Sequence, residues 1–228
     1  MQRVKKRKTI NADFESKIIP TSLVDTNGNI GDYDKKQLKN RAAYFMLNGT
    51  PEFAVNEKDD GRFQLLASEE DFLAAKLSGA LQLSVRIYRF TTQNAEIFSL
   101  IETLKNERLP VMEQAYKMKK LTSEFALTQD DVAALVGVSR PAVANTLRLL
   151  TLDPAVVGLV ESGQLSAGHA RTLVRVPKGQ QFAFAQEAIK RDYNVREMER
   201  AVKAFLTPPE ILEQEKQAKT NARNEELK

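Results

Sequence analysis

Hydrophobic positions in the first part of the chain fall in short runs. Lys17-Ile-Ile-Pro20, Phe53-Ala-Val55, Phe63-Gln-Leu-Leu66 and Val85-Arg-Ile-Tyr88 predict strands. Asp34 to Leu47 instead repeats apolar residues at helical spacing through Leu38, Ala42, Phe45 and Met46. Glu69 to Leu77 predicts a second helix that closes near Ser78-Gly79. Asp59-Asp60-Gly61, between two strand-like runs, reads as a hairpin turn, because glycine enters the φ > 0 region without a Cβ clash. These elements make a small α+β unit.

From Thr91 onward the period is helical throughout. Ala95 to Lys105 and Val111 to Thr122 carry apolar residues at i, i+3 and i+4, parted at Pro110. Further helices are expected over 128–136, 139–150, 154–161, 166–174, 179–191 and 195–206, with Pro208-Pro209 stopping the last. No internal repeat is visible. The expected organisation is a basic arm over 1–16, an α+β domain over 17–92, an all-α domain over 93–207, and a polar tail or linker over 208–228.

Composition narrows the chemistry. Among 228 residues there is no cysteine, so disulfides, thiolate metal sites and thiol catalysis are excluded. A reducing cytoplasm fits that usage. No apolar run approaches the roughly 18 residues needed to span a bilayer, and the charged start does not read as a secretory signal, so no membrane role is expected. The net charge of +4 resides in a short arm: Arg3, Lys5, Lys6, Arg7 and Lys8 account for five cations, and without them 29 cations face 30 anions. Both a polyanion contact and a solvated tail fit such an arm.

Leu127 to Leu150 is the informative stretch. Thr128 is a helix cap, with Asp131 placed favourably in the first turn. Ala133 and Val136 are expected to face inward. Gly137 suits the left-handed position that ends the helix, Val138 is expected to fill the turn, and Ser139 to cap the next helix with Pro141 in its first turn. A short helix, a glycine turn and a second capped helix make a helix-turn-helix. On a 100° wheel Val143, Leu147 and Leu150 form the core face of the second helix, with Ala144 beside them. Asn145 and Arg148 lie opposite, Thr146 sits at the flank, and Arg140 stands at the exposed N-terminus. Arginine pairs with guanine, asparagine with adenine, and threonine with bases or phosphates, so the pattern points to double-stranded DNA. The plainer alternative is an amphipathic helical hairpin. Between Thr128 and Arg175 four arginines meet four carboxylates, so affinity is expected from focused contacts, the arm or dimer avidity.

Three segments carry a family resemblance: the helix Ser139 to Leu150, Leu159 to Arg171 with its Leu165-Ser-Ala-Gly-His-Ala-Arg171 core, and Tyr193 to Glu199. They resemble the ParB/Spo0J family of chromosome- and plasmid-partition proteins over Leu127 to Phe205, about a third of the chain. The resemblance implies a ParB/sulfiredoxin-like α+β N-terminal domain followed by an all-α helix-turn-helix DNA-binding domain. It implies that Gln129, Ser139, Arg140, Asn145, Thr146, Arg148, Gly168 and Arg171 touch a parS-like inverted repeat, bound as a homodimer. His169, the only histidine, reads as a packing or DNA-contact residue, since one histidine cannot build a catalytic relay. Arg140, Thr146, Thr151 and Gly168 look like the partition branch rather than the nucleoid-occlusion relatives. The basic arm could engage a ParA-like ATPase or lie on DNA, and the protein is expected to associate with nucleoid or plasmid. The family's C-terminal dimerisation domain has no counterpart after Phe205.

The N-terminal half departs from the family in its nucleotide boxes. Where relatives cradle the triphosphate of CTP with a glycine and arginines, this chain reads Ser68-Glu-Glu-Asp-Phe-Leu-Ala-Ala-Lys-Leu-Ser-Gly79. Phe72, Ala74, Ala75, Lys76, Leu77 and Gly79 keep the scaffold, while Glu70 and Asp71 stand where arginines would be, with Arg62 and Lys76 as the nearest cations in sequence. Gly49-Thr-Pro-Glu-Phe53 and Glu102-Thr103 depart from the other two boxes. The expectation is a partition or mobile-element regulatory protein that binds DNA without CTP and is not an enzyme, with no catalytic residue, cofactor or metal assigned. The alternatives are a CTP-hydrolysing sliding clamp and an enzyme on the sulfiredoxin-like fold. Absent cysteine excludes the reductase, and for a nuclease Glu69, Glu70 and Asp71 suit a helix dipole better than Mg²⁺.

Overall fold

The computed structural model describes residues 13–27, 31, 33–106 and 109–208. The basic cluster Arg3 to Lys8 and the tail from Pro209 lie outside the described residues. The chain divides into two compact units, one drawn from Met1–Leu109 and Lys120–Arg140, the other from Pro110–Lys119 and Pro141–Lys228.

In the first unit, strands β1 (Glu15–Pro20), β2 (Val24–Asp25), β3 (Phe53–Glu57), β4 (Phe63–Leu65) and β5 (Gln82–Tyr88) form one mixed sheet in the order β1-β5-β3-β4-β2. β1 runs antiparallel to β5, and β3 parallel to it. The predicted hairpin joins β3 to β4, with Gly61 at φ 76° and its N–H donating to Lys58 O. Helices α1 (Lys35–Asn48) and α2 (Glu69–Leu77) cover one face of the sheet. Leu38, Ala42 and Phe45 of α1, and Phe72 of α2, pack on Phe53, Val55 and Val85, all buried. Phe53 and Phe72 meet edge to face at 5.9 Å, a geometry that suits the ring quadrupoles. On the other face Ala54, Leu66 and Tyr88 meet Phe90 and Phe98, the latter on α3 (Thr92–Asn106). Asp34 caps α1 by accepting the Gln37 N–H at 2.8 Å, and Gly49, at φ 79°, ends it.

The remaining helices are α4 (Val111–Ser123), α5 (Gln129–Val136), α6 (Arg140–Arg148), α7 (Pro154–Glu161), α8 (Ala167–Leu173), α9 (Lys178–Lys190) and α10 (Val195–Leu206). The second unit centres on Leu149, Val156, Leu173, Ala185, Met198 and Val202. A buried glutamine organises its loops. Gln181 Oε1 accepts the Asp153 N–H at 2.8 Å, and Nε2 donates to Val176 O at 3.0 Å, satisfying groups that burial would otherwise penalise. No single described helix is long and apolar enough to cross a membrane.

Candidate nucleic-acid interface

The turn between α5 and α6 is built by local chemistry. Thr128 Oγ1 accepts the Asp131 N–H at 3.1 Å, while Asp131 Oδ2 accepts the Thr128 N–H at 2.9 Å, closing a capping box. Gly137 stands at φ 80° and ψ 29°, and both its N–H and that of Val138 reach Ala133 O. The Val138 side chain is 40% exposed and does not fill the turn as expected. Val132, Ala133 and Val136 are buried, so α5 has the inward face that its spacing requires.

Along α6 the wheel is right at Val143, which is fully buried, and shifts further on. Leu149 takes the deep position, and Leu147 and Leu150 are only half-buried. The chain tightens there into a 3-10 turn over Leu149–Thr151, and Leu149 joins the core of the second unit with Leu152 and Val156. Arg140, Asn145 and Arg148 are exposed, as is Ser139, while Thr146 and Gln129 are half-buried. No carboxylate lies on α6. Arg140 Nε stands 3.5 Å from Asp130 Oδ2, with the two side chains 64% and 74% exposed. A loose surface pair of this kind is worth little, so Arg140 is held near the turn yet free to exchange partners.

The expected residues of α8 behave differently from one another. Ser166 Oγ accepts the His169 N–H, and His169 Nδ1 accepts the Ser166 N–H at 3.3 Å. With Nδ1 accepting, Nε2 carries the proton and donates to Tyr193 O at 2.9 Å. Both ring nitrogens are therefore used within the protein. His169 ties α8 to the turn before α10. Gly168 is half-buried against α10, where an added Cβ would lie 2.7 Å from Val195 Cγ2. Its missing side chain is what lets the two helices approach.

That approach creates a feature that sequence reasoning missed. Exposed Arg171 and Arg175, together with Arg196, Arg200 and Lys203 of α10, line an open groove of about 810 Å³ in which Glu199 is the one carboxylate. A charge count over 128–175 stops short of α10. The signal was the i, i+4, i+7 spacing of Arg196, Arg200 and Lys203, which puts three cations on one face.

The segments that match the family's nucleotide boxes form a second candidate, within the first unit. Ser68 keeps a left-handed backbone at φ 63°, the conformation that a glycine would adopt freely. The Glu69 carboxylate accepts from Thr26 Oγ1 at 3.1 Å, Asn27 N–H at 3.2 Å and Tyr33 Oη at 3.4 Å. Asp71 pairs with Arg41 of α1. Burial pushes its carboxyl up, and the Arg41 guanidinium pulls it in the opposite sense. Arg62, the nearest cation by sequence, is engaged with Asp25 through Nε at 3.1 Å, and Lys58 reaches the same carboxylate at 2.9 Å. Hydrogen bonds from Arg62 and Lys58 hold Asp25 well below the usual carboxylate range. Lys76 lies over the Phe72 ring at 5.7 Å. Thr103, in the third box, is buried and donates to Ser99 O of its own helix. Among the described residues no group of three or more His, Asp or Glu side chains could hold a metal ion.

Residues 107–207 match the family model described as the ParB HTH domain. A curated relative, the probable chromosome-partitioning protein ParB of Neisseria meningitidis serogroup A, is 38% identical over 152 residues, which are 67% of this chain and 53% of that protein. The chain belongs to the ParB family. It spans about half the length of that relative. The C-terminally truncated ParB of Caulobacter crescentus, solved in complex with its centromeric parS site, superposes with a TM-score of 0.70 at 26% identity, covering 82% of this chain and 99% of that one. A Pnob8-like ParB-N domain shares the fold, with a TM-score of 0.54 at 8% identity, over 77% of this chain and 86% of that one. The α+β unit followed by a helical DNA-binding domain is thus the ParB arrangement, as the sequence resemblance implied.

Proposed function

We propose that this chain binds double-stranded DNA site-specifically, reads a parS-like inverted repeat through α6, and serves DNA partition without CTP. The observation that carries this reading is the exposed polar face of α6. Asn145 and Arg148 stand opposite buried Val143 on a helix without a carboxylate, with Arg140 exposed at its N-terminus. Inserted in a major groove, such a face offers bidentate donors to guanine and a paired donor and acceptor to adenine. Thr146, Gln129 and Ser139 would add hydrogen bonds at its margins. Arg171 and the α10 cations supply the phosphate contacts that position a reading helix without reading sequence themselves. The likeness to a ParB solved on parS supports the choice of site. An inverted repeat calls for two copies of the chain, so a homodimer on DNA belongs to the proposal, as does nucleoid or plasmid association. The arm's ParA-like ATPase partner is a further part of it.

The CTP-independent part rests on the α2 N-terminus. There Glu70 and Asp71 stand where relatives carry arginines, and Arg41 and Arg62 are already engaged. Fluorescence polarisation with parS and scrambled duplexes, each with and without CTP and Mg²⁺, tests the whole reading. The expected outcome is preference for parS that is indifferent to CTP. Equal affinity for both duplexes would overturn the site-specific reading. CTP-driven release from parS, or CTP hydrolysis, would establish the sliding clamp instead.

A further inference from the structure

We propose that the trough between α1 and α2 is a docking site for an acidic amphipathic helix of a partner protein. The trough, of about 430 Å³, has Leu38 in its floor and is shaped by Lys35, Lys39, Ala42, Ala43, Met46 and Leu77. Two consecutive alanines hollow out the surface of α1. Met46 and Leu77 border the hollow and remain 66% and 43% exposed, although both are apolar. Leu47, the next position around α1, is 86% exposed. Large apolar groups gathered beside a trough mark a binding surface more than scattered ones do.

Charge identifies the occupant. α1 carries Lys35, Lys36, Lys39 and Arg41 and no acidic residue. Among the described residues its one ion pair is Arg41 with Asp71, which leaves the three lysines without a carboxylate. Lys35 and Lys36 occupy the first turn, where the helix dipole disfavours cations. An arrangement that works against helix stability and adjoins an apolar trough is matched by a helix presenting an apolar ridge flanked by Asp or Glu. The lysines lie toward the start of α1 and Met46 and Leu47 toward its end, so the partner's acidic and apolar groups should be offset along its axis in the same way.

The test uses the full chain and fluorescein-labelled peptides about five turns long. One has Leu at i, i+3, i+4 and i+7 with Glu on the flanks. A second is its composition-matched scramble, and a third replaces Glu by Lys. We expect the acidic amphipathic peptide to bind and the scramble to fail. The doubly substituted Lys35→Glu/Lys39→Glu chain should lose roughly tenfold in affinity for the acidic peptide and gain the lysine one. Glutamates at a helix start suit the dipole, so that loss would not report unfolding. Met46→Ser should weaken the acidic peptide without touching its charges. Equal binding of the scramble, or indifference to both variants, would overturn the proposal. So would self-association of the chain abolished by Met46→Ser, which would make a second copy the occupant. Displacement of the peptide by short random duplex, with Met46→Ser silent, would assign the lysines to phosphate instead.

Discussion

The groove between α8 and α10 makes a measurable claim about salt. Arg196 and Arg200 stand a turn apart on one face of α10, both exposed, with Arg200 Nε donating to Arg196 O. If each neutralises one DNA phosphate, replacing both by alanine removes two contacts. The slope of log K against log salt should then become shallower by about 1.8, at roughly 0.9 per contact. Between about 50 and 200 mM salt the wild-type chain should lose about tenfold more affinity than the double variant. Both positions are exposed, so stability should change by no more than about 0.5 kcal/mol, which a thermal melt would verify. The assay is a polarisation titration at several salt concentrations, run on parS and on scrambled duplex. The loss should be nearly equal on the two, because a phosphate contact carries no base information. An unchanged slope would refute the reasoning and leave the groove facing away from DNA. A loss confined to parS would make these arginines base readers.

Arg140→Ala should behave in the opposite way, lowering parS affinity by about 1–3 kcal/mol more than affinity for scrambled duplex, and equal losses would reduce Arg140 to a phosphate contact. Gly168→Ala should destabilise the second unit. Its new Cβ would lie 2.7 Å from Val195 Cγ2, and overpacking costs about 1–3 kcal/mol against about 1 kcal/mol gained in helix propensity. Urea unfolding should show the loss, with the added Val195→Ala change recovering part of it; a Gly168→Ala chain as stable as wild type would contradict the packing role. Asp25→Asn should show a pH-dependent deficit. The native carboxyl lies below its unfolded value, so its stabilisation is present above about pH 4 and is lost as pH falls further through the native value. The melting-temperature gap between wild type and variant should therefore close below about pH 4, and a gap constant with pH would assign the loss to shape alone.

How much of this was legible in the sequence depended on how local the cause was. The Thr128 cap, the left-handed Gly137 and buried Val143 answer to interactions within a few residues, and the pattern located all three. Leu149 was left off the core face because its burial comes from Leu152, Val156 and other residues of the second unit, which a wheel drawn for one helix does not contain. β2 escaped notice because it is two residues long and exists only through parallel pairing with β4. Arg62 looked available because its partner Asp25 lies 37 residues away in sequence. The packing partner of His169, the Tyr193 carbonyl, lies 24 residues on and leaves no local trace in the pattern. The basic groove depends on a glycine in α8 meeting a valine in α10, a contact that charge counting along the chain cannot register.

At the α2 N-terminus two separate things bear on nucleotide affinity, which cations are present and which groups already meet the donors. A helix start attracts anions through its unpaired N–H groups and dipole, whatever the side chains nearby. Deleting arginines alone would leave that attraction in place, together with the donors on Thr26, Asn27 and Tyr33. Here Glu69 supplies an anion covalently, at the effective concentration of a neighbouring side chain, and its carboxylate meets all three donors. A triphosphate entering this position would first have to displace it. Hydrogen bonds to a charged acceptor contribute about 1.5–3 kcal/mol each. The displaced carboxylate would remain close by, repelling the ligand by about 1–4 kcal/mol at effective dielectrics between water and the protein surface. Asp71 cannot lend its partner, because withdrawing Arg41 would leave a half-buried carboxylate uncompensated. On the proposal that the chain does not bind CTP, arginine at Glu70 alone should therefore not confer nucleotide affinity. Arginine at both Glu70 and Asp71, with Glu69 kept, is the change that tests which of these charges decides nucleotide affinity.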